Sequence, residues 1–208
     1  MSAGSLSPAT LRWIQKELIQ HACTGGVPCR PAPPSGPAGG HQTEIGREEL
    51  RSRIEALDLD CIKFKLMHPT EGRGLSREEA DHLEILYRRF LFMAVSGENP
   101  FMPTMEIDEV WHAHILDTAK YREDCEAAFG FILDHFPYFG LRGEEDMLNM
   151  VRLFMDSCRR YEQEYGEQYA EMPDQLRQLI PNLDDPFDFS EPGFLSLPER
   201  PGLEVSLA

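Results

Sequence analysis

Three of the seven histidines, His112, His114 and His135, lie between Pro103 and Gly140, interleaved with Asp108, Asp117 and Asp124. Imidazole nitrogen and carboxylate oxygen are the donors that zinc, iron and manganese accept. The same groups also build hydrogen-bonded polar cores. These six residues are the candidate metal ligands, with Trp111, Tyr121 and Cys125 as candidate members of a structural polar core. The His-x-His spacing does not make a site unaided. At about 100° per residue, His112 and His114 point apart on a regular helix. A shared ion needs a distortion between them or ligands from elsewhere in the fold.

The element that carries them reads as a helix from Thr104, a good N-cap, with Glu106 and Asp108 in the first turn, where the helix dipole favours acids. Ile107, Val110, Trp111, Ile115, Tyr121, Cys125, Ala128, Phe129 and Ile132 form one broad apolar stripe, and His114 falls inside it. A buried imidazole must satisfy both nitrogens, through Tyr121, an aspartate, a backbone carbonyl or a metal. His112 falls on the polar side with Asp108, Glu109 and Glu126, where an i,i+4 pair with Asp108 is the plain expectation. His135 lies 21 residues beyond His114, about 31 Å along a straight helix. It can approach only if the chain turns back. Gly130 permits such a turn cheaply, so a break is expected between Phe129 and Phe131, with the segment through His135 folding toward His114. Buried on the stripe, Cys125 is expected to be inert as a nucleophile.

Flanking elements follow from the same patterns. Ser76 and Glu79 form a capping box that opens a helix through Val95. Glu79-x-x-His82 and Glu109-x-x-His112 have the spacing used by helical di-iron proteins, but the capping box already accounts for Glu79. Ile45 to Leu57 reads as a helix, and Leu57 to Met67 as a helix or an extended packing segment. Gly97 to Pro103 is a tight connection, which makes its two helices antiparallel neighbours. Glu144 to Tyr165 is a helix with Met147, Met150, Val151, Phe154, Cys158 and Tyr161 inward, and Pro173 to Ile180 adds a short one.

Asp108, Trp111, His112, His114, Tyr121, Asp124, Cys125, Gly130 and His135 form a pattern that resembles the glycine-rich domain-containing protein-like family of bacteria, fungi and plants. The resemblance extends from about Ile54 to Tyr165 and is to the bacterial single-domain type, without the glycine-rich C-terminal part of plant relatives. It implies no settled biochemical activity.

The formal net charge is −16, from 36 acids and 20 bases, which opposes binding to nucleic acid or to an anionic membrane. Five scattered cysteines with no Cys-x-x-Cys pair read as reduced thiols of a cytoplasmic protein. His21, Cys23 and Cys29 match no structural zinc spacing. No apolar run has the length of a membrane span or the form of a signal-peptide core. Nucleotide-binding glycine loops, the G-x-S-x-G elbow and H-E-x-x-H are absent.

The expected organisation is a short amphipathic helix in residues 1–22, a Pro/Gly-rich linker in 23–43, one all-α domain of four to five helices in 44–170, and an acidic tail in 171–208. Two function classes follow. One is a protein whose buried His/Asp site holds a divalent metal such as zinc or iron. The other is a non-catalytic interaction or scaffold module in which Trp111, His114 and Tyr121 specify a polar core. Phe187-Asp188-Phe189 and Phe194-Leu195 in the tail are candidate contacts for a protein partner.

Overall fold

The computed structural model describes residues 30–31, 45–97 and 99–170. The expected N-terminal helix, the rest of the 23–43 segment, the Pro173–Ile180 helix and the acidic tail lie outside them. Six helices and one pair of two-residue strands make up the regular structure of the described residues. They divide into two compact units at Phe136 and Pro137.

The first unit begins with β1 (Arg30–Pro31), followed by α1 (Arg47–Glu55) and α2 (Asp60–Met67). The ambiguous Leu57–Met67 stretch is mostly helix, because Ile62 and Leu66, four apart, are the positions that bury. Next comes α3 (Arg77–Ser96), opened by the capping box: Glu79 N–H donates to Ser76 Oγ at 3.2 Å and Ser76 N–H to Glu79 Oε2 at 2.8 Å. Tyr87, Phe90, Leu91 and Phe92 on α3 are at most 1% exposed. This helix packs against α1, α2 and the following helix, α4 (Met105–Leu116). Arg88 ties the ends together. It donates to Leu57 O at 2.8 Å, to Glu55 O at 3.2 Å and to Ile54 O, and so joins α3 to the end of α1 and the turn after it.

One long helix was expected from Thr104, but the chain forms two, α4 and α5 (Thr118–Phe129). Asp117 is both the C-cap of α4 and the N-cap of α5, its Oδ1 accepting the Lys120 N–H at 3.3 Å. An aspartate does this readily, because its short carboxylate competes for backbone donors. This break and the helical form of Asp60–Met67 raise the count from the expected four or five to six. Gly130 ends α5 in the left-handed region at φ 80°, and its N–H reaches Cys125 O and Glu126 O at 3.1 Å each. The chain then enters β2 (Leu133–Asp134), antiparallel to β1, with Arg30 opposite Asp134 and Pro31 opposite Leu133.

The second unit is α6 (Glu144–Tyr165) with its leading loop. Asp146 Oδ2 accepts the N–H groups of Gly140 at 2.7 Å and Arg142 at 3.1 Å. Gly140 has φ 83°, a backbone conformation that residues with a Cβ rarely adopt, so the position favours glycine. All six side chains expected inward on this helix are buried.

Candidate metal centre

The turn at Gly130 brings His135 back onto α4, but against His112 and Asp108 rather than His114. His112 Nε2 and His135 Nε2 are 3.0 Å apart, His135 Nε2 is 3.4 Å from Asp108 Oδ1, and His112 Nδ1 is 3.5 Å from Asp108 Oδ2. One ligand atom from each of the three residues lies within 4.8 Å of the others. Asp108 was expected on the polar side of the helix. It is 3% exposed, covered by the returning segment. Among the described residues its ion-pair partners are the two imidazoles and no lysine or arginine. A buried carboxylate needs compensating positive charge; the N-terminal turn of α4, where Asp108 sits, supplies part of it, and a cation held with the two imidazoles would supply more.

Donors about 2.05 Å from one ion stand about 2.9 Å apart at a right angle and about 3.4 Å apart at a tetrahedral angle. The 3.0 Å and 3.4 Å separations fall in that range. Two imidazoles and one carboxylate are also a borderline donor set suited to zinc or ferrous iron. The donor types and these two separations are ones that a divalent transition metal could use.

His135 is held in place by aromatic neighbours. The Trp111 ring lies 4.5 Å from the His135 ring, centroid to centroid. Trp111 Nε1–H donates to Tyr121 Oη at 2.9 Å, and Tyr121 O–H donates to Leu133 O, two residues before His135. Trp111 and Leu133 are 0% and 1% exposed. A hydrogen-bonded chain thus runs from Trp111 on α4 through Tyr121 on α5 to Leu133 on β2, beside His135.

His114 belongs to a separate group. It is 1% exposed, with Nδ1 2.9 Å from Tyr87 Oη and Nε2 3.0 Å from Asp124 Oδ2, an approach that lies off the N–H axis. The Tyr121 ring packs edge-on at 5.0 Å. Burial pushes the His114 pKa down, outweighing the attraction of Asp124, so the ring is neutral near pH 7. A proton on Nε2 facing Asp124 leaves Nδ1 to accept from Tyr87. Asp124 also takes Lys120 Nζ at 2.9 Å. For Lys120, burial alone would lower the pKa, but the bond to Asp124 carries it above its ordinary value. Cys125 is buried, and desolvation pushes its thiol up to about 11.

The six candidate ligands therefore separate. Asp108, His112 and His135 come together, His114 and Asp124 meet elsewhere, and Asp117 caps α5 and joins neither group. The two Glu-x-x-His pairs do not converge: Glu79 is exposed in its capping box, His82 is exposed, and Glu109 pairs with Arg73 at 2.5 Å. Sequence reasoning missed Tyr87 as the partner of His114. The available signal was a tyrosine on the apolar stripe of α3, whose hydroxyl needs a partner when buried.

A family model described as UCP032817-like matches residues 57–191, more than half of the chain. Over 67 residues the chain is 30% identical to Glycine-rich domain-containing protein 2 of Arabidopsis thaliana. That stretch is 32% of this chain and spans only 8% of the plant protein's length. No solved structure matches. No helix among the described residues is long and apolar enough to cross a membrane.

Proposed function

We propose that this chain, which belongs to the UCP032817-like family, holds one divalent transition-metal ion on Asp108, His112 and His135. The observation that carries the reading is the convergence of two imidazole Nε2 atoms, 3.0 Å apart, beside a carboxylate buried to 3% exposure with no lysine or arginine partner among the described residues. Zinc and ferrous iron suit this donor set best. His114, bonded to Tyr87 and lying against Asp124, is assigned to the structural core and not to the ion.

The alternative is a polar core in which one imidazole donates its N–H to the other, within a non-catalytic interaction module. Metal analysis separates the two. Full-length protein purified without a histidine tag should carry close to one equivalent of zinc or iron. Asp108→Ala and His135→Ala should lose it, while His114→Gln keeps it. Wild-type protein that carries no metal and takes up neither zinc, ferrous iron nor manganese in a calorimetric titration would refute the proposal.

A further inference from the structure

The proposed ion has three protein donors, and among the described residues the cluster ends with them. What fills the remaining coordination positions is a question that rests on the metal reading above. Cover is uneven around the three donors. The side chains of Asp108 and His135 are 5% and 10% exposed, whereas that of His112 is 38% exposed. Trp111, fully buried, packs against His135. An ion held here has protein on the side of Asp108 and Trp111 and solvent on the side of His112.

Structural zinc sites close their shell with four protein ligands, whereas sites that bind an exogenous group keep three and leave a position open. Two imidazoles with one carboxylate belong to the second pattern. We infer that the ion keeps an exchangeable position on the His112 side, occupied by water and open to a small monodentate anion. Charge narrows the class of ligand. Two neutral imidazoles, one carboxylate and a dication sum to +1, which a single hydroxide or monoanion neutralises. The neighbouring Glu109 is already paired with Arg73. Asp134, next to His135, is exposed, and the chain carries a net charge of −16. Such a field disfavours a polyanion, so the ligand is a monoanion or metal-bound hydroxide rather than a phosphate ester.

The test uses full-length protein loaded with cobalt(II), whose visible bands report the metal's ligands, and azide as the probe. Azide should shift those bands saturably, and inorganic phosphate should do so less at equal concentration. Failure to bind cobalt or zinc at all would remove the metal reading and this inference with it. Cobalt that binds but ignores azide would overturn the open position and leave the metal site standing. An intense thiolate band that disappears in Cys29→Ser would also overturn it. Cys29 is next in sequence to Arg30, which pairs with Asp134, and such a result would mean that the chain itself fills the position.

Discussion

Tyr121→Phe removes one oxygen atom and should damage both stability and metal binding. The hydroxyl accepts from Trp111 Nε1–H and donates to Leu133 O, and both of those residues are at most 1% exposed. Phenylalanine fills nearly the same space, so the cavity contribution is small. What remains is one orphaned donor and one orphaned acceptor, each costing about 1–3 kcal/mol when buried. The expected loss is about 2–4 kcal/mol, a large share of a typical domain's stability, and roughly 10–20 °C in Tm for a unit of this size. Urea unfolding followed by far-UV circular dichroism gives the free energy. A cycle with Trp111→Phe should be non-additive by about 1 kcal/mol or more, because both changes break one bond. Freeing Leu133 also loosens the strand just before His135, so affinity at the proposed metal site should fall about 10- to 100-fold, as when an outer hydrogen bond to a ligand is lost. A Tyr121→Phe protein within about 0.5 kcal/mol of wild type, with additive behaviour in the cycle, would refute the bonding scheme.

Two further expectations concern other parts of the first unit. Lys63 reaches Glu84 at 2.5 Å, and Arg88 joins the same carboxylate. Burial would raise the Glu84 pKa, but the hydrogen bonds from Lys63 and Arg88 outweigh it and hold the carboxyl low, while the bond to Glu84 raises Lys63. A depressed carboxyl stabilises above its ordinary 4.5 and loses that contribution as pH falls through its folded value. A raised lysine stabilises below 10.5 and loses its contribution as pH rises through its folded value. The stability gap between wild type and Glu84→Gln, read by urea unfolding across pH, should be widest between those limits and close in acid; a gap that persists undiminished below pH ~3 would contradict the assignment. For the thiols, Cys61 is exposed whereas Cys125 is buried with its pKa near 11. Iodoacetamide on native protein followed by peptide mapping should label Cys61 and spare Cys125, and comparable labelling of both would show that the α5 core is open.

The parts of the fold that depend on neighbours within a few residues are readable from the chain. The Ser76–Glu79 box, the buried face of α6 and the stop at Gly130 each rest on a local pattern of hydrogen bonding or periodicity. The break at Asp117 was hidden because the apolar stripe resumes beyond it, with Tyr121 and Cys125 still inward, so the periodicity looks continuous across two helices. Asp108 was assigned to a polar face because a helical wheel has no knowledge of a later segment that returns to cover it. The same limit applies to His114. Its burial follows from its position on the stripe, but Tyr87 reaches it from a different helix, and no spacing along the chain encodes that meeting. The histidine trio illustrates both sides: the turn that allows His135 to return is local, while its destination is set by packing against Trp111.

Asp117 has a consequence for which changes in chain length this protein can tolerate. It ends one helix and begins the next, with no spare residue between them. One inserted residue would advance α5 by about 100° relative to α4, carrying Tyr121 away from Trp111 and Asp124 away from His114 in a single step. A deletion would do the same in the opposite sense. The elbow therefore works as a fixed-length ruler between two polar groups. Insertions and deletions among functional variants of this chain should avoid Leu116 to Thr118 and collect instead in exposed turns such as Pro69 to Glu71.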